Sequence, residues 1–326
     1  MELIKWLLSE TGGTLIQTHA SWVIVAGDVV YKIKKPVNFG FLDYSTLEKR
    51  KEFCQKEVIL NRRLCPWVYL GVVPISRRGE EYLLEDESSV VEYAVKMRRI
   101  PQERLLINML DKVEESHMKA LAQHIASFHQ RAERRDEWGA VSVMKFNTDE
   151  NFVQTEKYIG LSISHHDYHF IKDTVDDFYQ RYSSLMERRI AEGKIRDGHG
   201  DIRLEHVAFL EEGICVFDCI EFNDRFRCGD VINDMCFLSM ELEFEGYHHL
   251  ARVYEESYRE FSQDEDMDIL LPFFKSYRAY VRGKVESFLL DDPYLSQEEK
   301  EKHLLRARKF FSLSKYYAQT LRERFL

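Results

Sequence analysis

His199-Gly200-Asp201-Ile202-Arg203-Leu204-Glu205-His206-Val207-Ala208-Phe209-Leu210, continued by Gly213-Ile214-Cys215-Val216-Phe217-Asp218, decides how the chain is read. The stretch spells a loop with one carboxylate, two short apolar strands, and a second carboxylate at a strand end. Phosphoryl transfer from a nucleotide needs that layout. One Asp orients an acceptor hydroxyl and the other holds a divalent ion against the phosphates. Gly200 permits a tight turn ahead of Asp201, and His199 reads as a brace for the loop backbone. The plainer reading makes Asp201 a solvated loop residue and Asp218 a strand-terminal turn residue.

Upstream, the text is strand-like. Leu15–Thr18, Trp22–Val25 and Val29–Lys34 are apolar runs, and Ala26-Gly27-Asp28 is a hairpin signal. Lys32 and Lys34 stand two apart, so they share a face of the third strand. Ser45 with Glu48 makes a capping box for a helix running to about Leu64, which carries Glu57. Strands are expected at 71–76, 81–85 and 90–97. Beyond Pro101 the pattern turns helical, over 117–133, 147–192, 230–262 and 267–320, with the 206–218 hairpin as the one β element. Sheet first and helices later predict an α+β protein in two segregated parts, 1–97 and 98–326.

Composition narrows the function classes. The 326 residues are 44% hydrophobic and 13% aromatic, enough for a substantial core, and the net charge is −10. An acidic chain is a poor partner for nucleic acid or an anionic membrane. The six cysteines show no CxxC spacing, and most read as reduced core thiols. Neither a transmembrane-length run nor a secretory leader is expected, which points to the cytoplasm. The cluster His165-His166-Asp167-Tyr168-His169 lacks a clear ligand pattern and reads as exposed surface.

The 199–238 stretch resembles the aminoglycoside phosphotransferases, a branch of the protein-kinase-like fold that also includes choline-type kinases. Residues 14–65 and Leu121–His129, ending in Phe128-His129, add to the resemblance, and Tyr277–Val285 gives a weaker echo. Within the family the chain is most similar to the kinase-like half of bacterial proteins that fuse such a domain to a P-loop kinase. No Walker-A motif occurs here, so a P-loop kinase would be a separate functional partner. The resemblance implies a two-lobed fold. An N-terminal sheet lobe with one helix binds nucleotide, and a larger helical lobe carries the catalytic-loop hairpin.

It also implies roles. Asp201 matches the catalytic Asp and Asp218 the metal-binding Asp. Lys32, favoured over Lys34 by the family's strand pattern, contacts the phosphates and pairs with Glu57. Ser21, at the hairpin tip 18–21, stands where a glycine-rich phosphate loop is missing. Residues 93–98 form the adenine hinge, with Met97 packing on the base or, equally, in the core. Asp230 and Asp234 support the loops structurally, together with His199. Glu221 is an acidic neighbour that acts through water or holds a partner in place.

His206 departs from the pattern. The family has Asn there, five residues after the catalytic Asp. Imidazole suits softer metals than Mg²⁺. His206 therefore ligates a metal such as Mn²⁺, or leaves the ion to Glu205 or water, or only hydrogen-bonds within the loop. The expected activity is transfer of the γ-phosphate of ATP, with Mg²⁺ or Mn²⁺, to a hydroxyl of a small molecule. The alternative is a nucleotide-binding regulatory pseudokinase. A protein kinase is disfavoured, because no activation segment follows Asp218. Nothing in the sequence encodes the acceptor.

Overall fold

The computed structural model describes residues 2–326, which group into two compact units. The first comprises the chain up to Lys112 together with His199–Arg227. Its centre is a six-stranded antiparallel sheet in the order β1-β2-β3-β6-β4-β5. The strands are β1 (Thr14–Gln17), β2 (Ser21–Ala26), β3 (Val29–Lys34), β4 (Tyr69–Arg78), β5 (Glu81–Leu84) and β6 (Val90–Arg98). Helix α1 (Glu2–Thr11) places Ile4 and Leu7 over Ile24, Ile33, Ile75 and Ala94. Helix α2 (Leu47–Asn61) covers the opposite face with Cys54 and Val58. The alternation of β3 follows from this: Tyr31 and Ile33 join the α1 side, and Lys32 and Lys34 face α2.

The rest of the unit is α3 (Leu106–Met109), the hairpin β8 (Val207–Leu210) and β9 (Gly213–Val216), and the single turn α7 (Asp224–Arg227). Leu105, Ala208 and Cys215 share one buried core with Cys54, Val58, Val68, Tyr69 and Val95. That common core is why the hairpin and its flanking loops group with the sheet. A line drawn at residues 97–98 by element type instead assigns them to the helical part.

Two local expectations are corrected. The helix cap is Thr46, whose hydroxyl accepts from the Lys49 N–H at 3.3 Å, while Ser45 donates to Asp43. Cys65 and Cys215 are not two reduced thiols but a disulfide joining the chain after α2 to β9. Cys54, Cys219, Cys228 and Cys236 are buried and take no part in a disulfide.

The second unit holds Val113–Gly198 and Cys228–Leu326. Its helices are α4 (Glu115–Arg131), α5 (Val141–Thr155), α6 (His165–Ala191), α8 (Val231–Phe244), α9 (His248–Ser262), α10 (Met267–Phe288) and α11 (Gln297–Phe325). A small antiparallel pair, β7 (Ile195–Asp197) with β10 (Cys228–Asp230), was not expected from the sequence. The long helical text at 147–192 breaks around Gly160, which takes a left-handed φ of +85°. Helices α8, α10 and α11 meet through Phe237, Met240, Phe244, Ala279, Phe310 and Tyr317. Among the described residues no helix is long and apolar enough to cross a membrane.

Candidate active site

A ladder of alternating charges runs through the first unit. Lys32 Nζ lies 2.7 Å from Asp218 Oδ1 and 2.8 Å from Glu57 Oε1. The other oxygen of Glu57 meets Lys34 Nζ at 2.6 Å. Lys34 also bonds Glu221, which accepts from the Tyr44 hydroxyl at 2.5 Å. The order Glu221, Lys34, Glu57, Lys32, Asp218 carries three negative charges and two positive ones. The Lys34 side chain is 1% exposed, whereas Lys32 keeps 18% and Asp218 44% of theirs in solvent. Lys34 is thus a buried fixture, and Lys32 and Asp218 are open to a ligand.

The ladder fixes protonation states. Burial works against the charge on Glu57, but Lys32 and Lys34 outweigh it and hold its carboxyl below the usual range. Burial likewise opposes ionisation of Asp218, and the charge of Lys32 together with its hydrogen bond overcomes it, keeping Asp218 well below the ordinary carboxylate value. Both lysines are driven above the ordinary ammonium value despite burial, Lys32 chiefly by Asp218 and Lys34 chiefly by Glu221.

Asp218 is held by its backbone as well. Its φ is +59°, a region that non-glycine residues rarely occupy outside constrained sites. Its N–H donates to the Tyr69 hydroxyl at 3.1 Å. The next N–H, of Cys219, donates to Asn61 Oδ1 at 2.9 Å, and the Asn61 amide donates to the carbonyl of Glu57 at 2.8 Å. One α2 residue therefore ties Glu57 to the loop that presents Asp218.

The loop carrying Asp201 is built around two histidines. His199 Nε2 donates to the carbonyl of Phe217 at 3.0 Å, and its Nδ1 accepts from the Asp201 N–H at 3.2 Å. Gly200 has φ +85°, and a Cβ there would meet the carbonyl oxygen of Phe226 at 2.7 Å. His206 Nδ1 lies 2.9 Å from the Asp201 carbonyl oxygen and 3.2 Å from Asp201 Oδ2. Its Nε2 lies 3.6 Å from Asp218 Oδ2 and 3.7 Å from Glu205 Oε1. A proton on Nδ1 satisfies the Asp201 carbonyl and leaves the Nε2 lone pair facing Asp218. The imidazole thus stands between the two aspartates. Among the described residues no three metal-ligating side chains converge on one point. Two side-chain donors with phosphate oxygens completing the shell is a usual arrangement for nucleotide-bound Mg²⁺.

The other expected residues fall as follows. Ser21 opens β2 and is buried, so the exposed Thr18 and His19 form the outer tip of that hairpin. Met97 lies in β6, paired with Val30 and Tyr69, and packs on the core that includes Val95 and Cys215. Residues 93–98 belong to the central strand of the sheet, between β3 and β4, so that stretch is a strand and not a hinge. The chain leaves the sheet at Arg99–Pro101. In the second unit, Asp230 caps α8 by accepting from the Ile232 N–H at 2.9 Å and pairs with the buried Arg189 at 2.8 Å. Asp234 meets His129 Nε2 at 3.1 Å, and His129 Nδ1 meets the Tyr258 hydroxyl at 2.7 Å. Tyr44, Asn61 and Tyr69 were not anticipated. Each joins partners more than a hundred residues away, a separation without a local sequence signal.

No protein-family model matches the chain. Over 275 residues it is 34% identical to uncharacterised proteins of Mycobacterium tuberculosis and Mycobacterium bovis, covering 83% of this chain and 54% of theirs. The chain thus spans about half the length of the curated relatives it matches. Among solved structures it resembles a choline kinase from Cryptosporidium parvum Iowa II, with TM-score 0.60 and 11% identity over 99% of this chain and 96% of that one. A putative aminoglycoside phosphotransferase from Ralstonia eutropha JMP134 gives TM-score 0.56 and 14% identity, covering 98% of each chain. An amicoumacin kinase in complex with AMP-PNP and Ca²⁺ gives TM-score 0.56 and 12% identity, over 95% of this chain and 92% of that one. An antiparallel sheet, the Lys32–Glu57 pair and a hairpin flanked by Asp201 and Asp218 go with these likenesses: the chain has the protein-kinase-like fold of the aminoglycoside phosphotransferases and choline kinases.

Proposed function

We propose that the chain is an ATP-dependent phosphotransferase that moves the γ-phosphate to a hydroxyl of a small molecule. The observation that carries this reading is the placement of His206 between Asp201 and Asp218, with Lys32 on the far side of Asp218. Lys32, held by Glu57, presents its charge to the phosphates. Asp201 accepts the acceptor's proton or holds its hydroxyl in line. The carboxylate of Asp218 and the Nε2 lone pair of His206 fit a divalent ion, Mg²⁺ or Mn²⁺. Such an ion, when bound, neutralises charge on the phosphates. Positioning and charge neutralisation supply most of the rate.

In this reading Lys32, not Lys34, contacts the phosphates, because it is the lysine with solvent access. Adenine lies against Arg99–Pro101 and Met97. The protein works in the cytoplasm, and a separate P-loop kinase acts alongside it. Failure of any P-loop kinase to co-purify or alter turnover would remove that last element alone.

The test is a pair of substitutions. Asp201→Ala should abolish transfer and spare nucleotide binding. Asp218→Ala should weaken binding of the metal–nucleotide complex. Turnover at the wild-type rate in both variants ends the proposal. A regulatory pseudokinase is favoured by one feature, an imidazole where an amide oxygen is expected. Nucleotide binding with no ATP turnover across a broad screen of hydroxyl acceptors would decide for it.

A further inference from the structure

The histidine cluster at the start of α6 stands apart from the residues assigned above. His165 and His169 are four apart on the helix, so their side chains project from one face a turn apart. Their Nε2 atoms lie 3.2 Å from each other, with ring centroids 4.3 Å apart, and both residues are exposed. Tyr168 meets the His169 ring edge-on at 5.2 Å. Two imidazole nitrogens this close must share something. In a metal-free protein it is a proton, donated by one ring to the lone pair of the other.

We propose that His165 and His169 form a bidentate site for a late first-row divalent cation of the Zn²⁺, Ni²⁺ or Cu²⁺ class. With metal–nitrogen bonds of about 2.0–2.1 Å, the gap corresponds to an N–metal–N angle of roughly 103°, near the tetrahedral value. The spacing equals that of the two histidines in helical zinc motifs. Those motifs carry a glutamate directly after the first histidine, and here that position is His166, so the arrangement suits binding and not hydrolysis. His166 turns away to Asp167, whose carboxylate pairs with Lys315 at 2.7 Å while its backbone N–H donates to Ser164 Oγ at 3.0 Å. Asp173, exposed and one further turn along, adds a carboxylate to the same face. Only two protein ligands touch the ion, so water fills the remaining positions. Imidazole selects against the hard ions Mg²⁺ and Ca²⁺.

The experiment uses the untagged full chain carrying His206→Ala, so that the residues near Asp218 contribute little and the outcome is independent of the phosphotransferase reading. Titration with Cu²⁺, followed by calorimetry and electron paramagnetic resonance, should show one saturable site with hyperfine structure from two nitrogens. His165→Ala and His169→Ala should each weaken it at least about tenfold, and His166→Ala should not. All three positions are exposed, so the variants fold. Absence of a saturable site, or a site indifferent to His165→Ala and His169→Ala, overturns the proposal.

Discussion

Lys34 Nζ lies 2.6 Å from Glu57 Oε2, and neither side chain keeps more than 1% of its surface in solvent. The pair occupies one oxygen of Glu57 and leaves the other for Lys32. Tyr44 and Glu221 hold the far side of Lys34, so Glu57 has little freedom to turn. In kinases the corresponding lysine–glutamate contact must be in place for activity. Here a second lysine secures the Lys32–Glu57 contact from behind.

Removing that second lysine should therefore be costly. Lys34→Met leaves Glu57 and Glu221 buried without their shared partner and is expected to destabilise the fold by about 3–5 kcal/mol. Lys32→Met, at a partly open position, should cost less stability while eliminating transfer. Denaturant midpoints and rates on both variants check this. Wild-type stability in Lys34→Met would mean that the ladder is not structural.

The ladder also sets a pH profile. Glu57 and Asp218 titrate below their ordinary values of 4.5 and 3.8 in the folded chain. Their contribution to stability is complete above about pH 4.5 and is lost as pH falls through the lower native values. Lys32 and Lys34 titrate above 10.5, so their contribution is complete below that pH and is lost as pH rises through the native values. Urea unfolding of wild type and Glu57→Gln should differ by a constant amount from pH 6 to 9. A difference that slopes across that interval would contradict the assignment.

His206 offers a direct readout of ion choice. An imidazole nitrogen favours Mn²⁺ over Mg²⁺, and an amide oxygen reverses the preference. His206→Asn should raise the ratio of Mg²⁺- to Mn²⁺-supported nucleotide binding, measured by Mn²⁺ electron paramagnetic resonance with Mg²⁺ as competitor. An unchanged ratio would show that His206 does not touch the ion.

Thiol counting tests the covalent link. Denatured without reductant, the chain should expose four titratable thiols, and after reduction six. Six in both conditions would mean that Cys65 and Cys215 lie side by side unjoined.

Local chemistry made much of this fold legible. The apolar alternation of β2 and β3, the Gly27 turn and the amphipathic α4 follow from residues a few positions apart. The pairing of Lys32 with Glu57, and the approach of Asp201 and Asp218, were reachable because a known family repeats that spacing. What stayed hidden depended on choices between neighbours or on distance. Ser45 and Thr46 both suit a cap, and only the backbone turn selects Thr46. Residues 93–98 read equally as strand or hinge until β4 is seen to pair with their second edge. Cys65 and Cys215 stand 150 positions apart, as remote in the text as Tyr44 is from Glu221. The histidine spacing at 165 and 169 was visible, but the facing of the two rings depends on rotamers that a sequence does not display.

Gly200 carries a consequence for how this protein can vary. Asparagine or aspartate tolerates a left-handed backbone at many turns, yet here the space behind the α-carbon is filled by the carbonyl of Phe226. Backbone shape and crowding thus veto substitutions independently of one another. In a saturation library selected for function, this codon should return glycine alone, and no second-site change in a neighbouring side chain should rescue another residue, because the obstacle is main chain.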